Sequence, residues 1–249
     1  MSGVRLEMRK MRRLRTFPIL VGLVLAVSAL SSASLFSGTA RESFDDPAAS
    51  PWAALLLSYT MMAAMTSPLL TAVLASRQTD IEHSGNGWVL AAGAGRTPGQ
   101  LCGAKLRALA IILAPAIALQ TAAVVAIGVV AGISVPIDPV PWIAYTVLLY
   151  VLDVVFCGLH ILLAARVENQ LVSVGVGVLG SFLAVFSLLL PAAVSRVIPW
   201  GYYAVISQAG QSGDAVAYVQ APYAWITGFV LLAALVIAVG IRRLDPIGA

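Results

Sequence analysis

The chain has few charged residues, and this scarcity limits the class of protein it can be. Of its 249 residues, 10% are charged and 60% are hydrophobic, whereas about a quarter of the residues of a soluble domain are charged. Its two histidines and two cysteines form no C-x-x-C or paired-histidine spacing, so no metal or redox motif is visible. The polar stretches are also too short for a separately folded catalytic domain.

The sequence also lacks the motif with which P-loop proteins bind a nucleoside triphosphate. That motif, GxxxxGK[ST], uses glycines whose backbone N–H groups surround phosphate, followed by a lysine and a hydroxyl. The nearest stretch, from Gly99 to Lys105, has a different glycine spacing and is followed by Leu106. We therefore predict that this chain neither binds ATP nor holds a cofactor.

Six long apolar stretches are present instead. A hydrocarbon layer of ~30 Å requires ~20 apolar residues wound as a helix, because a helix satisfies its backbone polar groups internally. We predict an all-α, polytopic membrane protein with six transmembrane helices in a single domain over residues 1–249. The predicted spans are Phe17–Phe36, Trp52–Ala75, Leu106–Ile133, Trp142–Ala165, Leu171–Val194 and Tyr223–Ile241.

Basic residues are distributed unevenly between the connections. Only Arg41 and Arg196 fall on one predicted side of the membrane, and the other thirteen basic residues fall on the second side with both termini. Because Lys and Arg are retained in the cytoplasm, we predict that both termini are cytoplasmic. A role in nucleic-acid binding would need a basic aqueous surface that this chain lacks.

Three segments outside the spans have patterns of their own. Residues 1–16 place apolar residues three or four apart among basic ones, which predicts an amphipathic helix at the membrane surface; an unstructured basic tail is the alternative. Residues 76–105 form a cytoplasmic connection. Residues 195–222 are apolar and aromatic, and we predict a short re-entrant helix there or, alternatively, a helix that rests on the lipid surface.

The connection at residues 76–105 has the signals of two helix starts. Thr79 with Glu82 has the form of a capping box, and Thr97 with Gln100 has the same form with proline at the first helical position. The glycines near Gly95 permit a turn before the second helix. The pattern predicts a helical elbow, which is either a lever for a soluble partner or an ordinary connecting loop.

Within the predicted spans, Asp153 is the one carboxylate. An aspartate near the bilayer centre costs ~2.5–3.5 kcal/mol on insertion scales. It therefore requires an aqueous path or a hydrogen-bonding partner, and both interpretations remain open. His160 lies seven positions later on the same helical face, and Gln120 is another large polar side chain in the spans. The three are candidates for a translocation pathway.

The fifth span has small residues four positions apart at Ser173, Gly177 and Ser181. Such a stripe lets another helix come close. The sequence does not decide whether that helix belongs to the same chain or to a second copy. Trp52, Trp142 and Trp225 fall at the ends of their spans, where we expect interfacial anchoring.

The order of these features resembles the six-span permease subunits of ABC-2 type exporters, particularly those of lantibiotic immunity and antimicrobial peptide export. The resemblance rests on the basic amphipathic start, on Arg77–Trp88 with Arg96 and Lys105 after it, on Leu159–Gln170, on the glycine-rich Val174–Ser181, and on Pro199–Tyr202. Such permeases often have a proline where this chain has Gly95.

The resemblance implies a division of labour. This chain would form the pathway in a bacterial plasma membrane, and two copies of a separate ATPase, holding ATP and Mg, would drive it together with a second, identical or homologous permease. The residues implied to couple to the ATPase are Asp80, Glu82, Gly85, Trp88 and Arg96. The implied substrate is an amphipathic peptide or a hydrophobic drug. The alternatives are a non-transporting sensor subunit and an intramembrane enzyme that uses Asp153 and His160.

Overall fold

The computed structural model describes residues 3–37, 41–212 and 215–245. Over these ranges the chain is mainly helical, with a few single turns of 3-10 helix. The helices are α1 Gly3–Arg13, α2 Thr16–Ser31, α3 Pro51–Ser84, α4 Gly87–Gly93, α5 Pro98–Ala131, α6 Pro139–Arg166, α7 Gln170–Ser187, α8 Ala192–Ser195, α9 Tyr202–Val205 and α10 Tyr223–Arg242.

Several of the long helices begin with a side-chain cap. The Thr97 hydroxyl accepts a hydrogen bond from the Gln100 N–H ahead of α5, as the sequence predicted. Asp138 caps α6 and Asn169 caps α7 in the same way, each through the N–H two residues later. Each cap satisfies a backbone donor that the first turn of a helix leaves without an intrahelical partner.

Helices α3 and α6 form the centre of the bundle. More than half of their most apolar windows is buried, 56% for α3 and 61% for α6, against 28% for α5 and α7 and 22% for α10. Helix α3 packs on α6 and α7, α5 packs on α6 and α2, and α10 packs on α6. The outer faces of α5, α7 and α10 are apolar and exposed, which is the arrangement of a protein surrounded by lipid.

Within the described residues, five helices are long and apolar enough to cross a membrane, and the bent pair α1 and α2 makes a sixth candidate span. The two helices of this pair meet at 71°, where Arg15 adopts a left-handed φ of 53°. The first predicted span was too long, because α2 ends at Ser31 and a 3-10 turn follows it. The fifth was also too long, since α7 ends at Ser187 and α8 is a separate turn.

The two ends of the bundle differ in charge. We call the end that carries α1 and α4 the basic end. There the Arg77 guanidinium donates to the Leu14 carbonyl at 2.9 Å, and the Asp245 carboxylate, just after α10, accepts from the Gly99 N–H at 2.9 Å. These contacts hold α1, α3, α5 and α10 together at that end.

The opposite end contains an element that the sequence did not predict. Strands β1 Ala209–Ser212 and β2 Ala215–Tyr218 pair antiparallel, with Gly210 opposite Ala217. The expected re-entrant segment at residues 195–222 thus contains single helical turns followed by a hairpin, whose residues 213–214 lie outside the described part. Residues 1–2 of the predicted amphipathic segment lie outside it as well. The prediction of an all-helical protein therefore needs this small correction.

Two of the three tryptophans expected to anchor at the lipid interface are buried in the bundle. Trp52 and Trp142 are 4% and 3% exposed, and their rings meet edge to face at 6.2 Å. The Trp52 indole donates to the Val135 carbonyl at 2.7 Å, and that of Trp142 donates to the Tyr218 hydroxyl at 3.3 Å. Only Trp225 is largely exposed, at 55%.

Candidate functional site

Four charged side chains meet at the basic end, and three of them are almost fully buried. We call Glu7, Lys10, Glu82 and Lys105 the ion-pair cluster. Glu7 and Lys105 are 0% exposed and Glu82 is 2% exposed. The members come from α1, α3 and α5, so the cluster connects three helices that are distant in sequence.

Lys105 is at the centre of the ion-pair cluster. Its ammonium donates to Glu7 Oε2 at 2.8 Å, to Glu82 Oε1 at 2.6 Å and to the Gln78 carbonyl at 2.8 Å. A lysine ammonium has three protons, and all three have an acceptor here. A buried charge without such partners would be unstable.

Lys10 completes the ion-pair cluster from the side facing solvent. Its ammonium lies 2.9 Å from Glu7 Oε1 and 2.5 Å from Glu82 Oε1. Partial burial lowers the pKa of Lys10, but hydrogen bonds and charges from Glu82 and Glu7 outweigh burial and raise the pKa above its ordinary value. The cluster thus pairs two carboxyl side chains with two lysine side chains.

Two predictions about residues 76–105 are corrected by the structure. Thr79 does not begin a helix, because α3 continues to Ser84 and the Thr79 hydroxyl donates to the Ala75 carbonyl at 2.9 Å. Glu82 is not on the surface expected of a residue that contacts a partner protein. The short helix of the elbow is instead α4, which begins at Gly87.

Helix α4 packs directly against Glu82. A Cβ atom on Gly87 would lie 1.9 Å from Glu82 Oε2 and 2.9 Å from the Glu82 Cα, so only glycine fits without displacing backbone. The next turn of α4 points outward, with Val89 and Leu90 each 70% exposed. Gly95, with a φ of +69°, then turns the chain toward α5. One side of α4 therefore packs against the ion-pair cluster, and its other side exposes apolar residues.

Trp88 faces the bundle and not the exposed side of α4. Its indole N–H donates to His83 Nδ1 at 3.3 Å, and His83 Nε2 lies 2.9 Å from the Ala164 carbonyl. Because indole only donates and a carbonyl only accepts, His83 is the Nε2–H tautomer at this site. Trp88 thus ties α4 to the end of α6.

The other residues that the resemblance implies couple to the ATPase lie around the elbow. Asp80 is half-buried on the last turns of α3, and Gly85 is exposed in the loop before α4. Arg96 is half-buried and lies beside Gly3 at the start of α1, where a Cβ on Gly3 would be 2.9 Å from the guanidinium.

Asp153 is buried in the bundle, 1% exposed. Its carboxylate accepts a hydrogen bond from the Tyr203 hydroxyl at 2.8 Å, and Ser67 is a second hydrogen-bonding partner. Tyr203 belongs to α9, in the segment at the end opposite the basic end. Asp153 therefore joins that segment to the middle of α6, and in this conformation its carboxyl group meets protein groups.

The other two pathway candidates belong to separate hydrogen-bonded groups. The Gln120 amide donates to the Tyr59 hydroxyl at 3.1 Å, and Tyr59 lies 3.1 Å from the Thr121 hydroxyl. His160 Nδ1 lies 3.0 Å from the Ser173 hydroxyl. All of these groups are buried, so the structure does not bring Asp153, Gln120 and His160 together.

The stripe of small residues on α7 packs against α3 of the same chain. A Cβ on Gly177 would lie 2.5 Å from the Ala72 Cβ and 3.0 Å from the Pro68 carbonyl. Ser173 and Ser181 are 1% and 9% exposed. Gly177 thus lets the backbones of α7 and α3 come close to each other.

Sequence reasoning missed Glu7, Lys10, Gln78, His83 and Tyr203 as site residues. Glu7 did carry a signal, because it is an acid among basic residues and shares the apolar face of α1 with Val4 and Met11. Glu7 lies 98 positions from Lys105, and Tyr203 lies 50 positions from Asp153, and no local pattern shows either partner. Among the described residues, no group of His, Cys, Asp or Glu is arranged to hold a metal.

The helices and the buried polar groups define a multi-pass helical membrane protein. Residues 4–184 match the model of the family described as ABC-2 family transporter protein, and the chain belongs to that family. Membership makes it a membrane component of an ABC transporter and implies association with an ABC ATPase. No curated protein matches the chain. The matched range ends within α7, ahead of the hairpin and α10.

Proposed function

We propose that this chain is the membrane-spanning permease subunit of an ABC exporter that moves an amphipathic peptide, such as a lantibiotic or another antimicrobial peptide, or a hydrophobic drug. Two copies of a separate ATPase would power two permease subunits, identical or homologous. The observation that supports the proposal most directly is α4, a short helix with an exposed apolar face that packs against the ion-pair cluster at the basic end. In this proposal the basic end and both termini are in the cytoplasm of a bacterial cell, an orientation that the positive-inside rule supports.

In this proposal the ATPase contacts Val89 and Leu90, together with Gly85 and the neighbouring Asp80 and Arg96. Exposed apolar side chains framed by polar groups are typical of protein interfaces. Glu82 and Trp88 do not contact the ATPase in this proposal, and instead connect α4 to the bundle. Glu82 connects α4 to α1 and α5, and Trp88 connects it to α6, so a push on α4 reaches α1, α5 and α6.

The pathway hypothesis for Asp153 takes a specific form. When the helices separate, Asp153 exchanges Tyr203 for water or substrate, and the segment that carries Tyr203 opens. Gln120 and His160 stay in the proposal as polar groups that become accessible in the same transition. Such a change requires that substrate and nucleotide bind the two conformations with different affinities.

The experiment is a flux assay with this chain and its ATPase in proteoliposomes, with a fluorescent amphipathic peptide as cargo. A permease gives ATP-dependent accumulation of the peptide. A sensor subunit changes ATPase activity without flux, and an intramembrane enzyme using Asp153 and His160 modifies a substrate without nucleotide. Either of these last results contradicts the proposal.

The docking surface is tested in the same preparation. Replacing Val89 and Leu90 by serine should reduce co-purification of the ATPase by at least about tenfold, since apolar residues at an interface centre carry much of its affinity. The matched control replaces Leu189 and Leu190, which are 81% and 39% exposed at the opposite end, by serine. Equal co-purification of both variants would rule out α4 as the contact.

A further inference from the structure

A groove lies beside the beginning of α10, at the end opposite the basic end. We call it the Arg196 groove; its volume is about 450 Å³ and its walls include Arg196, Tyr202, Trp225, Gly228, Phe229 and Leu232. Tyr202 and Phe229 are stacked with ring centroids 4.0 Å apart, which makes one wall flat and apolar. The family match ends at residue 184, so the groove lies entirely outside the matched range.

Arg196 is the cation of the groove, and it is not fully satisfied. Its guanidinium lies 5.3 Å from the centroid of the Trp225 ring, within the range of a cation–π contact. Its Nε is buried without a hydrogen-bond partner, and no ion pair among the described residues includes it. A cation in apolar surroundings is stabilised by a counter-charge, and an anion in the groove supplies one to the guanidinium.

The groove opens onto the apolar surface of α10. Trp225, Leu232 and Leu235 are 55%, 61% and 61% exposed, and 22% of the most apolar window of this helix is buried. In a bilayer, that surface faces acyl chains. Gly228 leaves the floor of the groove open, since a Cβ there would meet nothing within 4 Å.

We propose that the Arg196 groove binds an anionic phospholipid from the adjacent leaflet. The headgroup phosphate accepts hydrogen bonds from the Arg196 guanidinium, which matches the geometry of phosphate and is weakly hydrated. One acyl chain lies over Gly228 and along Leu232. Charge complementarity and continuity with the lipid-facing side of α10 favour this occupant. The inference does not depend on the transport proposal.

The test is native mass spectrometry of the full chain released from nanodiscs that contain equal amounts of phosphatidylglycerol and phosphatidylcholine. We expect the chain to retain phosphatidylglycerol in preference to phosphatidylcholine. The variant Arg196→Gln should retain at least about tenfold less phosphatidylglycerol, because a charge-assisted hydrogen bond is lost. The control Arg41→Gln removes the other arginine predicted on this side and should retain as much as the original chain.

A second pair of variants leaves the cation in place. Gly228→Leu fills the floor of the groove and should also displace the lipid. Gly175→Leu adds the same side chain at an equally open position on α7 and should not. A soluble competitor, glycerol phosphate, should not displace the lipid, because it has no acyl chain to fill the apolar part.

Four results would overturn the inference: equal retention of both lipids, equal loss in Arg196→Gln and Arg41→Gln, full retention in Gly228→Leu, or displacement by glycerol phosphate. A loss of dimer in Arg196→Gln with unchanged lipid would assign the groove to a second copy of the chain and would also overturn it.

Discussion

At the scale of single residues, the ion-pair cluster and the contact between Asp153 and Tyr203 use the same chemistry for different purposes. In each case an ionisable side chain is buried in an apolar protein, and hydrogen bonds from another element satisfy it. Burial of a pair is a weak source of stability, but removal of one partner is costly. We therefore interpret both contacts as devices that fix which elements lie together.

Lys105 provides the first prediction at this scale. Lys105→Ala leaves Glu7 and Glu82 buried with fewer donors, and the free energy of unfolding should fall by about 3–5 kcal/mol. The check is thermal unfolding of the purified chain in detergent. The control is Arg107→Ala on the same helix, since the Arg107 side chain is exposed and donates to the Gly103 carbonyl one turn away. Similar losses in the two variants would contradict the role given to the cluster.

Tyr203 provides the second prediction at the scale of single residues. Tyr203→Phe removes the donor to Asp153, and the free energy of unfolding should fall by about 1–3 kcal/mol because a buried carboxylate loses a partner. The neighbouring Tyr202→Phe keeps the ring that stacks on Phe229 and should change stability much less. Combining Tyr203→Phe with Asp153→Leu in a double-mutant cycle isolates the contact. Additive effects would show that the hydroxyl and the carboxylate do not interact.

At the scale of elements, the elbow is a short helix held by contacts on its inner side. Gly87 fits against Glu82, and Trp88 donates to His83, so two successive residues of α4 are fixed to α3. The exposed Val89 and Leu90 follow at once. This order gives α4 one side attached to the bundle and another available to a partner, which is what a rigid lever requires.

Gly87 makes the attachment testable. Gly87→Ala places a methyl group against Glu82, and overpacking of this kind costs about 1–3 kcal/mol. Gly93→Ala, at the other end of the same helix, has open space around the added methyl group and should be neutral or slightly stabilising, since alanine favours helix. Thermal unfolding of the two variants gives the comparison. Equal midpoints would mean that α4 does not pack on Glu82.

At the scale of the whole molecule, we predict that the charge difference between the two ends sets the direction of the chain in the membrane. The long helices pack around α3 and α6, and the first and last described residues, Gly3 and Asp245, both lie at the basic end. The positive-inside rule converts that asymmetry into an orientation. The proposed transport direction, the docking of an ATPase and the leaflet that meets the Arg196 groove all follow from it.

Orientation can be measured with a membrane-impermeant thiol reagent in cells. Cys102 and Cys157 are free and fully buried, so the chain itself should give little background. A cysteine at Val197, which is 81% exposed, should be labelled in intact cells. A cysteine at Ser84, at the basic end, should be labelled only after permeabilisation. The reverse pattern would invert the proposed topology.

The sequence by itself determined the features that depend on neighbouring residues. Apolar length predicted the long helices, Thr97 and Pro98 predicted the start of α5, and the glycines after α4 predicted its turn. The prediction that Thr79 begins a helix was wrong. A hydroxyl followed three residues later by Glu82 has the form of a capping box, but this hydroxyl donates to the Ala75 carbonyl inside a continuing helix. Local pattern does not distinguish these two uses.

Only the tertiary structure decided which buried charge meets which partner. Glu82 was expected at a surface, but Lys105 and Lys10 draw it inward. Asp153 was left between an aqueous path and a protein partner, and in this conformation it meets Tyr203. A charge in an apolar protein must find a counter-charge or a donor, and in a helical bundle that partner can come from any helix that packs nearby. The sequence therefore shows that a buried polar group requires a partner, and the packing of the helices determines which residue that partner is.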